Sequence, residues 1–424
     1  MPPRIAHART PLTGRDPTEE HRASTPLELL YDLTLVVAFG FAADELAHYV
    51  AEGHSGAAIV GFVLSVFGVS WAWLNYSWLA SAYDNDDWQF RLATMTQMVG
   101  VVVLALGIEP AFTSIDEGDT FNGDVLIAGY VVMRVAMLFL WWRVSRDDPE
   151  RRPAAHRYML TPGTAQVLWV VFAVLDLSLT AALVGFVLIV LLELSGPAIA
   201  ERAAQTPWHP HHITERYGLL FLITLGEGII GTVAAINALV HSDHGWTANA
   251  ALLAFTGVGL TFACWWAYFA IPWGEMLERR RDGLATFTYG YGHLVMFGAI
   301  AAIGAGLHVA AYALEDEAHV GDVTVVASVA IPLAVFLGMV YGLYSIQLRT
   351  RDPFHLLLLG LTAATLVAAP LLAAAGLATE WCLLVLLLAP VITVVGYETV
   401  GHRHTNEAFA RLDAREGEAQ QDGA

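Results

Sequence analysis

Arg134 and Glu227 stand about halfway along two stretches that are otherwise apolar, Val131-Val132-Met133-Arg134-Val135-Ala136 and Thr224-Leu225-Gly226-Glu227-Gly228-Ile229. His293 lies about ten residues into a third, beside Tyr289 and Tyr291. An ionisable side chain at membrane depth is costly and by default marks a functional site. Arg134 cannot give up its proton, so it needs an acid or a water-filled cavity. Glycines on either side of Glu227 allow a close backbone approach, or a helix loosened around the carboxylate. Arg134 and Glu227 therefore read as an ion pair or as a handle for an anion or a proton. His293 could relay a proton near neutral pH. The plainer alternative is a structural ion pair plus a histidine bonded to a carbonyl. For His293 that alternative is the stronger one.

A second group of charges sits at helix ends. Glu28 and Asp32, in Thr25-Pro26-Leu27-Glu28-Leu29-Leu30-Tyr31-Asp32, are spaced i, i+4 and share a helix face. Pro26 is a common first helical residue, and acids suit a helix N-terminus. Capping suffices to explain Glu28. Asp32 lies a turn deeper and calls for a partner such as Arg91 or Arg216. Glu215-Arg216 opens a later helix in the same way, where an interfacial anchor is the plain reading. Between them comes Ser70 to Gly100, whose aromatic end (Trp71, Trp73, Tyr76, Trp78, Tyr83) runs into Asp84, Asp86, Asp87 and Arg91. Asp86 or Asp87 can cap the next helix. Three nearby carboxylates could also hold a hard cation, but no EF-hand spacing is present. A charge lock that grips Arg91 and a neighbouring arginine is the preferred reading. His209, His211 and His212 read as a solvated loop, and Gln97 and Asn75 as interhelical hydrogen-bonding groups. Cys264 and Cys382 read as packing residues. There is no P-loop, metalloprotease helix or nucleophile elbow, so no metal, cofactor or enzymatic activity is expected.

The elements that must position these groups are membrane helices. Hydrophobic residues make up 56% of the chain and charged ones 14%, against roughly 25% charged in a soluble domain. The net charge of −19 argues against nucleic acid. A helix needs about 20 apolar residues to cross the hydrocarbon core. Twelve stretches meet that length: about 28–49, 57–82, 89–112, 123–144, 158–175, 177–195, 214–239, 247–272, 284–311, 322–347, 354–376 and 381–400. The fifth and sixth come from one apolar run, Gly163 to Leu194, divided at Asp176. All basic side chains of the Lys/Arg type are arginine, and with twelve spans every arginine except Arg134 falls on one side. Glu52, Asp116, Glu117, Asp119, Asp243, Glu315, Asp316, Glu317, Asp322 and Glu380 fall on the other. Arginine-rich loops stay cytoplasmic, which puts both termini inside, in a multi-pass protein of the cell membrane.

An internal repeat organises the chain. Trp73-x-x-Tyr76 matches Trp265-x-x-Tyr268, and Leu92-Ala93-Thr94 matches Leu284-Ala285-Thr286 at the same offset. Arg146-Asp147-Asp148-Pro149 matches Arg351-Asp352-Pro353. The expected organisation is an all-α protein of two parallel six-helix halves, residues 27–200 and 214–400. A linker at 201–213 joins them, and residues 1–26 and 401–424 form disordered cytoplasmic tails without a signal peptide.

Glu28-Leu29-x-x-Asp32-Leu33, the Trp71-to-Arg91 stretch, Glu215-Arg216 with Leu225-Gly226-Glu227, and Trp265-Trp266-Ala267-Tyr268-Phe269 carry a resemblance. Over roughly residues 25–400 the chain resembles the bacterial low temperature requirement protein A family. Three positions depart from that family's pattern. Ser81-Ala82 stands where asparagine-arginine is frequent, Gly228 where serine follows L-G-E, and Ala270 where aspartate follows the W-W-x-Y-F motif. Charge pairing at the turns can differ accordingly. The resemblance implies an integral membrane protein linked to growth in the cold, with no agreed substrate.

The function these features point to is transport of a small solute or ion through a polar site between the two halves. Arg134 and Glu227 would be its midplane groups. Asp32, Asp84, Asp86, Asp87 and Arg91 would form a gating network. Its partners would be the lipid bilayer and an unknown solute. One alternative is a non-transporting membrane protein for cold growth or sensing. Another, ranked last, is a membrane enzyme acting on lipid headgroups at the acidic turn.

Overall fold

The computed structural model describes residues 7–19, 22–240, 246–350 and 352–422, with side chains to residue 414. Arg351, Asp243 and the first six residues, which bear on the repeat, the charge bias and the tail, lie outside them. The described chain is all α-helical apart from one isolated bridge, Thr120 to Ser178. In order come α1 (Pro26–Ala51), α2 (Ser55–Tyr83), α3 (Trp88–Leu106), α4 (Ile108–Glu117), α5 (Asp124–Asp147), α6 (Arg152–Ala173) and α7 (Leu179–Glu201). There follow α8 (Pro210–Thr224), α9 (Gly226–Val240), α10 (Ala248–Phe269), α11 (Trp273–Arg279), α12 (Gly283–Leu314), α13 (Asp322–Leu348), α14 (Pro353–Ala374) and α15 (Thr379–Gly396). A π-helical turn, Tyr397–Gly401, leads into α16 (His402–Asp422).

Among the described residues, eleven helical stretches are long and apolar enough to cross a membrane. They account for every expected span except 158–175. That stretch does form a helix, α6, but Arg157, Pro162 and Gln166 dilute its apolar content. The turn after α6 lies beside the α4–α5 loop: Leu179 N–H donates to the Asp119 carbonyl at 2.9 Å, and Phe121 N–H to that of Leu177 at 3.2 Å. α6 therefore runs back along α5 to the end where α5 begins.

The chain divides into two units, residues 1–45 with 56–219, and residues 46–55 with 220–424. This boundary falls inside α1 and α8 rather than in the expected linker. In the first unit α3 packs on α5, α5 on α6 and α6 on α7. Gly129 permits the first of these approaches: a Cβ there would stand 2.2 Å from the backbone nitrogen of Leu104. In the second unit α12 packs on α13, α13 on α14, α14 on α15, and α9 on α12. A Cβ at Gly304 would meet the Glu227 backbone at 2.6 Å.

Both expected tails are ordered where described. Residues 7–19 form a strap held by acids. Thr10 N–H donates to Asp87 (3.1 Å), Leu12 N–H to Asp147 (3.0 Å) and Gly14 N–H to Asp148 (3.0 Å), while the Leu12 side chain is fully buried. Polar composition concealed this, because the strap is fixed through its backbone. Residues 402–422 form α16 because Thr405, Ala408, Phe409 and Leu412 recur at helical spacing and bury one face. Cys264 and Cys382 are free and buried, as packing residues would be.

Candidate functional site

The densest buried chemistry lies in the first unit, and α1 builds its start. Thr25 and Glu28 form a reciprocal capping box: Thr25 N–H donates to Glu28 Oε2 at 2.7 Å and Glu28 N–H to Thr25 Oγ1 at 3.3 Å. Glu28 does more than cap. Its carboxylate also lies 3.2 Å from His212 Nε2, 3.6 Å from Arg216 Nη1 and 3.9 Å from Arg22 Nη2. One turn deeper, Asp32 Oδ1 accepts from Arg216 Nη2 at 2.5 Å and from Trp73 Nε1 at 2.7 Å. Glu28, Asp32, His212 and Arg216 are all fully buried. The Arg216 guanidinium also faces the Trp73 and Tyr76 rings, each at 5.8 Å. Arg216, one of the two partners expected for Asp32, is the one used; Arg91 is not.

The acidic turn after α2 is a lock whose carboxylates each take an arginine of the same unit. Asp87 caps α3 through Phe90 N–H (2.9 Å) and binds Arg143 at 2.5 and 2.9 Å. Asp86, at φ +51°, is held bidentately by Arg91 at 2.8 and 2.9 Å. Asp84 is buried and stands 4.0 Å from Arg22, with Asp86 N–H donating to it at 2.8 Å. Their ionisation differs accordingly. Burial, reinforced by the neighbouring Glu28 carboxylate, pushes Asp84 up to about 6. Hydrogen bonds from Arg91 hold Asp86 below the usual carboxylate range. Burial opposes ionisation of Asp87, but Arg143 and the Phe90 and Thr10 N–H groups outweigh it, so its carboxyl is lowered.

A second buried centre surrounds Arg134, and here the expected pairing with Glu227 is not the one that forms. Arg134 Nη2 donates to Glu193 Oε2 at 2.7 Å. Glu193, fully buried on α7, also accepts from Trp71 Nε1 (3.0 Å), Tyr130 OH (3.0 Å) and Gln166 Nε2 (2.9 Å). Glu193 lies inside the run read from sequence as apolar around Asp176. The intramembrane-charge rule that singled out Arg134 applies to it equally. Tyr31, next to Asp32 in sequence, is fully buried in the same unit. Its ring meets Tyr76 edge-on at 4.6 Å, and Tyr76 OH bonds Thr94 Oγ1 at 3.0 Å. Several buried atoms of the first unit have no protein hydrogen-bond partner among the described residues: Tyr31 OH, Asp32 Oδ2, Gln97 Nε2, and Arg134 Nε and Nη1.

The remaining candidates have surroundings of their own, and Glu227 and His293 belong to the second unit. Glu227 is buried in the first turn of α9, where the 210–240 span is interrupted at Leu225. His293 belongs to the second unit. Its Nδ1 meets the Tyr289 carbonyl at 2.7 Å and its Nε2 the Tyr268 hydroxyl at 3.0 Å, inside a shell of Tyr268, Trp273, Tyr289 and Phe297. The carbonyl-bonded alternative therefore describes it. Glu215 is exposed and accepts from Ser24 N–H at 3.3 Å, which ties the chain ahead of α1 to α8. His212, expected in a solvated loop, is buried against Glu28, and His209 is buried with Nε2 2.8 Å from the Glu19 carbonyl. Asn75 bonds back to the Trp71 carbonyl of its own helix at 2.8 Å instead of bridging helices.

Residues 23–390 match the family described as Bacterial low temperature requirement A protein (LtrA). The chain is also 24% identical over 310 residues to a Rhizobium meliloti (strain 1021) protein named Uncharacterized protein RA0937. That match covers 70% of this chain and 71% of the relative. No solved structure matches the chain significantly. With eleven candidate membrane spans among the described residues and a match over most of its length, the chain belongs to the bacterial low temperature requirement A family.

Proposed function

We propose that this protein is a transporter of a small solute or ion rather than an enzyme, and that the buried relay of the first unit carries the translocated species. The observation that supports this most is the unused hydrogen-bonding capacity around Tyr31, Asp32, Gln97 and Arg134. Polar groups left unmatched in a low-dielectric interior are costly, and a polar guest supplies the missing partners. Asp32 and Arg216 are the gripping pair, Glu28 and His212 flank it, and the Asp84–Asp86–Asp87 lock closes one end. Glu227 marks a second candidate point, since interrupted helices line the binding sites of many transporters.

We read the chain as crossing the cell membrane twelve times with both termini cytoplasmic. The antiparallel course of α6 along α5 supports counting α6 as a crossing, and arginine placement supports the orientation. Two parallel repeats are supported by the shared packing order, α3–α5–α6–α7 in one unit and α12–α13–α14–α15 in the other.

A second reading, a non-transporting protein for cold growth, is favoured by Glu193, whose four donors saturate both carboxylate oxygens. The test is to reconstitute the purified protein in liposomes on a solid-supported membrane. Currents are then recorded on rapid exchange into a panel of monovalent and divalent ions, organic acids and amines. Transport gives a substrate-dependent current above protein-free liposomes. Currents equal to those of protein-free liposomes across the panel, from protein shown to be folded, would reject it.

A further inference from the structure

A cluster that the transport reading does not use lies in the second unit, where α14 begins and the π turn ends. Asp352, His355 and His404 each direct one ligand atom at a common point, and these atoms lie within 4.8 Å of one another. The local structure holds each group in that pose. Asp352 caps α14 with Oδ1, which accepts from Phe354 N–H at 3.0 Å, so Oδ2 is left to face the imidazoles. His355 Nδ1 stands 2.7 Å from that oxygen, and His404 Nδ1 also contacts it. Tyr344 stacks on the His355 ring at 4.5 Å and is itself fixed by a 2.8 Å bond between its hydroxyl and Thr405 Oγ1. Phe354 meets the His404 ring edge-on at 5.9 Å.

His404 reaches this point because of the π turn. One extra residue in a helix rotates everything after it by about 100°, and such turns are rare and concentrate at functional sites. Here the rotation brings Thr405 onto Tyr344 and His404 onto Asp352. Side-chain exposures of 14%, 9% and 34% for Asp352, His355 and His404 leave one side open to solvent.

We propose that Asp352, His355 and His404 bind a divalent first-row transition ion, with Zn²⁺ the closest chemical fit. Two imidazole nitrogens and one carboxylate oxygen are borderline ligands of the kind such ions prefer over Mg²⁺ or Ca²⁺. Three protein ligands with an open side suit a tetrahedral ion that keeps a water. A tetrahedral ion at about 2.0–2.1 Å from its ligands sets them roughly 3.3 Å apart. The imidazoles must therefore swing out slightly on loading, and His404, the most exposed, has room to do so. The bound ion ties α16 to α14. This site is independent of the relay in the first unit.

The test uses the tag-free, full-length protein in detergent, stripped with a chelator and titrated with Zn²⁺ alone by calorimetry and against a chromogenic chelator. The expected result is one Zn²⁺ per chain. Asp352→Asn, which keeps the helix cap, and His404→Ala should each weaken binding by at least about tenfold, the loss that even an outer-shell defect can cause. His211→Ala, at an exposed position of the first unit, should leave binding unchanged. Absence of stoichiometric Zn²⁺ binding by the wild type, or affinity unchanged in both cluster variants, would overturn the proposal.

Discussion

Glu193 and Arg134 should differ sharply in what their removal costs, although they form one ion pair. Glu193 accepts four hydrogen bonds, of which Arg134 supplies one. Without Arg134, as in Arg134→Met, the carboxylate keeps Trp71, Tyr130 and Gln166 as donors. Arg134 is placed differently. Its only hydrogen bond among the described residues is to Glu193, and two of its guanidinium nitrogens already have none. Glu193→Gln removes the charge and aims an amide N–H₂ at the donors that met one carboxylate oxygen. Stripping either buried charge of its counter-ion costs about 3–5 kcal/mol; the three donors that Glu193 keeps put Arg134→Met at the low end of that range, and the bare Arg134 left by Glu193→Gln stands at the high end. Glu193→Gln should therefore destabilise by about 2 kcal/mol more than Arg134→Met. The double variant should recover much of that loss, because no uncompensated charge remains. Thermal unfolding of detergent-purified protein, followed by tryptophan fluorescence with folding checked by gel filtration, completes the cycle. Equal melting temperatures for the two single variants, or strictly additive losses in the double, would refute this reasoning.

Two further outcomes follow from the same packing. Asp84 titrates near 6 in the folded protein, above its unfolded value of 3.8, so the folded state holds its proton more tightly. Its contribution is greatest below about pH 4, falls as pH rises to about 6, and stays low above that. Asp84→Asn should abolish this slope and stabilise the protein at pH 7.5 by up to about 3 kcal/mol, read from melting curves between pH 4 and 8. An Asp84→Asn protein with an unchanged pH profile would place the origin of that slope elsewhere. Gly129→Val should be among the most damaging small substitutions. Its side chain would drive into the α3 backbone, where a Cβ already finds Leu104 N at 2.2 Å, at a cost of about 1–3 kcal/mol or more. Normal yield and melting of Gly129→Val would show that α3 and α5 can separate freely.

The helices were legible in sequence because crossing a bilayer demands a length and an apolarity that few other structures need. Only α6, diluted by Arg157, Pro162 and Gln166, fell short of the expected pattern. Local motifs were legible too. Thr25-x-x-Glu28 encodes its capping box, and Asp87 its cap on α3. Partners were harder, because sequence spacing says nothing about which helices meet. Asp32 found Arg216, a reach of 184 residues that charge balance could only suggest. Arg134 found Glu193, which its apolar neighbours disguised. His212 looked solvated because polar residues surround it in sequence, whereas its place in the first turn of α8 buries it against Glu28. The strap at residues 7–19 was invisible for a related reason. Its anchors are mainly backbone N–H groups, which every sequence possesses, and the carboxylates of Asp87, Asp147 and Asp148 and the Ala82 carbonyl give them a place to bind.

The most direct test of transport through the relay is the current carried by a double variant, Asp32→Asn with Arg216→Met. Neutralising both partners leaves neither of the two as an unpaired buried charge, and Glu28, which loses Arg216, keeps Arg22 and His212 beside it, so the fold should survive where either single change would strain it more. The measurement is the solid-supported membrane current of this variant for whichever solute the wild type moves, at matched reconstitution and with melting behaviour recorded alongside. The expected result is a folded protein whose current falls to the level of protein-free liposomes. A folded double variant that carries the wild-type current would contradict the account and leave Asp32 and Arg216 as structural partners.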